Sequence, residues 1–396
     1  MTSSVYIAKN VYGGDGLGRL GDGRVVFVPG AFAGEQVKAE IVEEKRNWVK
    51  AKLVAVEDPS EDRMDAGANR IPGMVYADLS FKGEMKAKEA QLKEFLERNR
   101  IETPSFTTAP ETSPDHYRNK AVYHFAKQDG KWAIGYREEP SHRIVDVAED
   151  PLARPEINAK LPEIRRSVVT LLTTGAQSVR KSVEQQGNVT VRWTQRSGVQ
   201  WWIGKPRDPV VLKEVTCGKV FEVPSDGFYQ VNPEMGEALA KAVVEEYEKG
   251  RDAAPEVVDL YCGVGVFGLL CRPGRLTGVE SGRQAVDFAR RNAEAQGVAG
   301  AKFYAEEVGR NVRRLPLNSR ACVIVDPPRG GMEPNVPKAL AESKAPRIIY
   351  VSCDPATLMR DLKTLARAYA VESVRWFNMF PRTARFETLV VLSRRV

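Results

Sequence analysis

"VVDLYCGVGVFGLL", residues 257–270, decides how the chain is read. Val257, Val258 and Leu260 around Asp259 have the character of a buried strand. Gly263, Gly265 and Gly268 follow in G-x-G-x-x-G spacing, and the apolar residues after them take up a helical rhythm. Lacking side chains, the glycines let the backbone approach a bound molecule closely. A strand, a glycine turn and a helix in succession point to an α/β nucleoside-cofactor fold. The turn itself suits a dinucleotide as well as S-adenosylmethionine.

Outward from this stretch the alternation continues. Apolar strand cores stand at 276–279, 321–325, 348–351 and 388–392, with helical patterns between them such as 283–296. This predicts a parallel sheet covered on both faces, with ligands beyond the C-terminal strand ends. Glu280 closes the next strand in "LTGVES", where a carboxylate accepts bonds from ribose hydroxyls. Asp326 closes another in "ACVIVDPPRGG". Pro327 and Pro328 cannot extend the ladder, so the aspartate is expected to face the cleft.

"RIIYVSCDPATLMRDL" (347–362) sets Cys353 between a strand and a helix. From the residues alone it is a small core residue, half of a disulfide, a metal ligand or a nucleophile. Asp354 suits an N-cap and Pro355 a first helical turn. The helix dipole should then pull the thiol toward thiolate, with Asp354 opposing. Glu387, in "FPRTARFETLVVL", reads by itself as a solvated acid at a strand end.

Before residue 227 the chain differs. Residues 1–60 are rich in glycine and short strands (25–28, 36–42, 48–56), with Asp22-Gly23 as a hairpin signal, which predicts a compact barrel. Lys45, Arg46, Lys50 and Lys52 gather around Trp48, a pattern shared by nucleic-acid surfaces and solvated hairpins. Residues 83–99 form a helical pattern with Met85, Leu92, Phe95 and Leu96 on one side, and 161–172 another, amid strands to about 226. Trp201 and Trp202 read as one core and one surface residue.

The 396 residues are too many for one core. Five widely scattered cysteines, with no CxxC pair, argue for a reducing compartment and against a disulfide framework or zinc site. No apolar run approaches the ~18 residues of a membrane span, and the N-terminus carries no secretory pattern. A cytoplasmic location is expected. The net charge of +7 leans toward a polyanionic partner without deciding it.

Taken together, "FYQVNPEM", "DLYCGVGVFG", "GVES", "DPPRGG", "YVSCDPATLMRDL" and "FPRTARFET" resemble, in order, the motifs of the RNA 5-methyluridine (uracil-C5) methyltransferase family. "GGDGLGRLGDGRVVFVPGAFAGEQV" resembles a TRAM domain, a small RNA-binding OB-like barrel, and "YRNKAVYHF" the family's central region. The resemblance implies a TRAM-like barrel (1–60), a central α+β domain (61–226) and a Rossmann-like methyltransferase domain (227–396). It implies S-adenosylmethionine binding by Gln230, Tyr261, Gly263, Gly265, Glu280 and Asp326, Cys353 as nucleophile and Glu387 as general base. It further implies an RNA substrate, ribosomal (23S) over transfer RNA because of the TRAM domain, with no membrane and no obligate protein partner. A transfer-RNA methyltransferase and a non-catalytic RNA-binding relative are the alternatives. A nicotinamide oxidoreductase would share the glycine turn but leave "SCDP" unexplained.

The departures are specific. Many relatives hold an iron–sulfur cluster through C-x5-C-x2-C and a later cysteine. Here Asp65, Ile71, Met74 and Asp150 stand at those places, so no cluster is expected. Asp354 replaces the usual asparagine, and Arg382 and Arg385 stand where many relatives have histidine.

Overall fold

The structure is a computed structural model describing residues 2–67, 70–139, 141–206 and 210–395. It divides into two compact units. The first runs to Phe95 and takes in Phe380–Phe386; the second spans Leu96–Met379 and resumes at Glu387.

In the first unit, β1 (Thr2–Asn10), β2 (Gly16–Arg19), β3 (Val25–Val28), β4 (Gln36–Glu44) and β5 (Trp48–Asp58) close a barrel in the order β1-β2-β3-β5-β4. Alternation puts Val5, Ile7, Val26, Val28, Val37 and Val49 inside. Asp22-Gly23 makes the expected β2–β3 turn, with Gly23 at φ +89°. Helix α1 (Phe81–Arg98) buries Met85, Leu92 and Leu96 as its spacing predicts. It also buries charge: Glu84 and Lys88 are both fully enclosed and paired at 2.7 Å. Lys88 donates to the Phe380 carbonyl (3.1 Å), and the Arg382 N–H donates to the Glu84 carboxylate (3.0 Å). Arg382 adopts φ +65°, and its guanidinium donates to the Leu79 carbonyl (2.8 Å). Of the two arginines at histidine positions, Arg382 is thus a buried tie, whereas Arg385 donates to the Tyr12 hydroxyl (2.8 Å).

The second unit begins with β6 (Phe106–Thr108), β7 (Lys120–Gln128), β8 (Lys131–Arg137) and β9 (Ile144–Asp146). Helices α2 (Pro155–Thr174) and α3 (Gln177–Gln186) lead to β10 (Asn188–Thr194) and β11 (Gly198–Ile203). Five of these strands pair in the order β11-β10-β7-β8-β9. Helix α2 starts six residues before the expected 161 and passes through Pro162. The stripe of Ile157, Leu161, Ile164 and Val168 is buried on both sides of the proline, and this packing outweighs the lost hydrogen bond. Both Trp201 and Trp202 are half-buried, so neither is the core residue expected. Hairpin β12 (Val211–Thr216) and β13 (Lys219–Pro224) precedes the long helix α4 (Pro233–Gly250).

Then come β14 (Glu256–Leu260), α5 (Val266–Cys271), β15 (Arg275–Glu280), α6 (Arg283–Ala295), β16 (Ala301–Ala305), α7 (Val308–Asn311) and β17 (Ala321–Val325). The chain ends with α8 (Val336–Glu342), β18 (Arg347–Ser352), α9 (Pro355–Leu365), β19 (Tyr369–Phe377) and β20 (Glu387–Arg394). The sheet order is β16-β15-β14-β17-β18-β20-β19-β6. The sheet is mixed, which corrects the all-parallel expectation. After α9 the chain leaves a gap, lays down β19 beyond it, and returns so that β20 fills the gap antiparallel to both neighbours.

Candidate active site

Strands β14, β17 and β18 end at the sheet edge where the antiparallel β20 begins. Strand order reverses between β14 and β17, the place where open α/β sheets leave a crevice.

Past β14, Tyr261 (φ +62°), Gly263 (+53°) and Gly265 (+87°) bend the chain through left-handed backbone into α5. Gly268 packs so tightly that a Cβ there would lie 2.8 Å from Asp259 Oδ2, to which its N–H donates (3.0 Å). Glu280 braces this turn. Its Oε2 accepts the Gly263 N–H (3.3 Å), and Oε1 accepts the Gly282 N–H (2.7 Å) and the Ser281 hydroxyl (3.1 Å).

Gln230, Tyr261, Gly263 and Asp326 line one cleft together with Phe228 and Val264. Gly265 and Glu280 are outside that lining, Glu280 reaching it through its bond to Gly263. The Tyr261 hydroxyl is spent on Glu333, leaving its ring and backbone for the cleft.

At the neighbouring tips, Asp354 caps α9 as predicted, accepting the Ala356 (3.0 Å) and Thr357 (3.1 Å) N–H groups. The β18–β20 ladder ends at Ser352 opposite Thr388, so Cys353 and Glu387 leave it side by side. Glu387 is only 4% exposed, and its Oε2 has no hydrogen-bond partner among the described residues. The reading of Glu387 as a solvated acid is therefore wrong. Insertion of β20 between two neighbours covers its first residue.

Burial pushes the Cys353 thiol up to about 12, with Glu387, Asp326 and Asp354 adding to the rise and the Arg329 guanidinium opposing it. This reverses the expected pull toward thiolate: enclosure and carboxylates outweigh the helix start. Burial, then Asp326, holds Glu387 well above the carboxylate range, again eased by Arg329. Burial raises Asp326 to about 7, helped by Asp259. Asp259 also stands at about 7, through burial that the Gly268 N–H only partly offsets. The edge thus gathers a thiol and three carboxyl groups that resist negative charge, an environment that a cationic ligand relieves.

A pH test follows. Asp259 holds its proton more tightly folded than unfolded, so its share of stability is complete below about pH 4 and lost as pH rises through about 7. Between those limits wild-type stability should fall relative to Asp259→Asn, by on the order of 2–4 kcal/mol. Urea denaturation at a series of pH values reads the difference; parallel curves would refute it.

Sequence reasoning passed over three participants. Asp259 was visible as a strand-end acid, Arg329 lay inside "DPPRGG", and Asp361 inside "LMRDL". Only Asp259 carried a signal, a carboxylate beside a glycine turn.

A profile of the tRNA (Uracil-5-)-methyltransferase family matches residues 211–395, and one of the TRAM domain residues 5–54. An uncharacterised RNA methyltransferase of Gloeobacter violaceus is 30% identical across 99% of this chain and 96% of its own length. The chain belongs to the RNA uracil-5 methyltransferase family. An uncharacterised RNA methyltransferase of Thermotoga maritima is 28% identical, covering 99% of both chains. The tRNA (uracil-54, C5)-methyltransferase of Pyrococcus abyssi, solved with S-adenosyl-L-homocysteine, shares the fold at a TM-score of 0.74 and 23% identity, over 98% of this chain and 100% of its own.

For this RNA uracil-5 methyltransferase the TRAM match falls on the five-stranded barrel. There Lys45, Arg46, Lys50 and Lys52 are exposed around Trp48, which meets Phe27 edge-on at 6.0 Å. At the positions where relatives carry cluster cysteines the surroundings do not fit iron–sulfur ligation. Ile71 and Met74 are buried apolar side chains without a thiolate to offer. Asp65 accepts the Gly67 N–H (2.8 Å), and fully buried Asp150 accepts the Tyr123 (3.0 Å) and Tyr136 (2.7 Å) hydroxyls. No helix among the described residues is long and apolar enough to cross a membrane.

Proposed function

We propose that this enzyme methylates C5 of a uridine in structured ribosomal RNA, in 23S rRNA, through a covalent bond between Cys353 and C6 of the base. The observation that carries the reading is Cys353 and Glu387 side by side at the end of the β18–β20 ladder, with Asp326 shared between them and the glycine-turn cleft. We keep the division into a barrel (1–60), a central region (61–226) and a catalytic region (227–396) as part of the same proposal.

Uracil C5 is too weak a nucleophile to take a methyl group unaided. The Cys353 sulfur adds to C6, giving up its proton to a neighbouring carboxylate as the S–C bond forms, and the ring becomes an enolate with electron density at C5. S-adenosylmethionine, when bound, supplies the electrophilic methyl as a sulfonium. Glu387 then removes the C5 proton, the C6–S bond breaks, and the sulfur departs with the electron pair. A thiol held near 12 stays protonated between turnovers, so deprotonation accompanies attack. Gln230, Tyr261, Gly263, Gly265, Glu280 and Asp326 form the cofactor site in this reading, with the raised carboxyl groups favouring a cation. The target base must leave its stack, at a cost of a few kcal/mol. Contacts from the basic barrel surface offset that cost.

The test is release of tritium from RNA carrying 5-tritiated uridine in the presence of S-adenosylmethionine. Absence of release with the wild type would overturn the reading. A transfer-RNA substrate is the second reading, favoured by the tRNA named in the family profile and in the Pyrococcus abyssi neighbour. Mapping 5-methyluridine in total RNA with and without the gene separates them.

A further inference from the structure

Asp361 lies on the buried face of α9, 2% exposed and two helical turns from Cys353. Its Oδ2 accepts the Met332 N–H (3.0 Å) and the Tyr350 hydroxyl (2.8 Å), and its Oδ1 accepts Arg360 Nε (2.9 Å). The Met332 carbonyl in turn accepts Arg360 Nη2 (2.8 Å). Both backbone polar groups of Met332 therefore end on consecutive residues of one helix. Gly331, at φ +72°, fits beneath them with no room to spare. A Cβ there would stand 2.5 Å from Arg360 Nη2 and 2.9 Å from Asp361 Oδ2. A further stitch joins the Thr357 hydroxyl to the Arg329 carbonyl (3.4 Å).

Three pieces of the site converge on this carboxylate. Tyr350 belongs to β18, the strand that delivers Cys353. Met332 closes the loop that carries Asp326 and Arg329. Arg360 belongs to the helix that Asp354 caps. All three partners donate, so an acceptor-only carboxylate satisfies them together, whereas an amide would turn a donor toward a donor. A purely structural carboxylate in this place would be costly compared with an apolar side chain.

We infer that Asp361 is a positioning residue for the methyl-transfer reaction: it fixes the Asp326–Arg329 loop against Cys353 and so sets the distance from the Arg329 guanidinium to the nucleophile. Among the described residues, the charged and titratable groups that act most strongly on that thiol are Glu387 from β20, Asp326 and Arg329 from the loop after β17, and its own neighbour Asp354. Arg329 is the one cation among them. Loosening its loop removes the charge that eases thiolate formation, while the Gln230 and Gly263 side of the cleft stays in place.

The inference rests on the proposed role of Cys353, and its experiment has a readout independent of turnover. The pH dependence of Cys353 alkylation by iodoacetamide, read by peptide mass mapping, reports the thiol directly. In Asp361→Asn the profile should move to higher pH. The kcat for methyl transfer should fall about 10- to 100-fold. Gly331→Ala, which presses on the same contact from the loop side, should shift the profile the same way and serves if Asp361→Asn does not fold. An unshifted alkylation profile in a folded variant overturns the inference, even where kcat and thermal stability fall together. Methylation by Cys353→Ala would instead overturn the proposed chemistry and leave the alkylation result standing.

Discussion

Cys353→Ala is expected to lower methyl transfer by about 10⁴-fold or more, and Glu387→Gln by about 10²- to 10⁴-fold, for different reasons. Without the sulfur the uracil ring is never activated, so Cys353→Ala should form no covalent species with RNA under denaturing electrophoresis. Glu387→Gln keeps the nucleophile and loses the group that takes the C5 proton. The methylated adduct then has no exit, and protein should remain attached to RNA. The two variants therefore separate on one gel. Absence of a trapped complex in Glu387→Gln, with turnover at the wild-type rate, would remove Glu387 from the reaction. For the wild type, Asp326 raised to about 7 and Glu387 held well above the carboxylate range predict a rate that climbs from acid toward alkaline pH, as these carboxyl groups shed their protons.

The second large effect is on stability. Lys88→Ala leaves the Glu84 carboxylate enclosed without its ammonium partner and takes one donor from the Phe380 carbonyl, which keeps those of Thr383. A cost of about 3–5 kcal/mol is expected in urea denaturation. Glu84→Leu should cost at least as much, since the Arg382 N–H and the buried Lys88 ammonium both lose the carboxylate. The double variant Glu84→Leu/Lys88→Met should recover most of the pair's desolvation penalty but not the Arg382 bond, and so fall between the wild type and either single variant. Single variants that denature with the wild type would show that the enclosed pair carries no net stability.

How much of this was legible beforehand depends on the range of the forces involved. The strand at 257–260, the glycine turn and the Asp354 cap are local events, written in adjacent residues, and they appear where the sequence placed them. The antiparallel course of β20 was not legible, because β-branched runs look alike in either direction and the choice is made by which gap remains in the sheet. The same blindness misjudged Glu387. Whether a strand-end acid meets water or a neighbour depends on the strands beside it, not on its own segment. The start of α2 was missed in a similar way: the helix begins six residues before the expected 161, held by a buried stripe that runs to both sides of Pro162. The reactivity of Cys353 lay between the two cases. Its helix start was readable, but the carboxyl groups around it come from strands far away in sequence, and they decide the sign.

The placement of β20 has a consequence for the order in which the protein comes into being. Cys353 is synthesised and can be carried to the end of β18 while the slot beside it is still empty, because the strand that fills the slot is the last in the sequence. Until Glu387 arrives and β20 zips between β18 and β19, the Cys353 thiol has no carboxyl group across the ladder, and the sheet presents two unpaired edges instead of one continuous surface. Completion of the sheet and completion of the reactive pair are thus a single event.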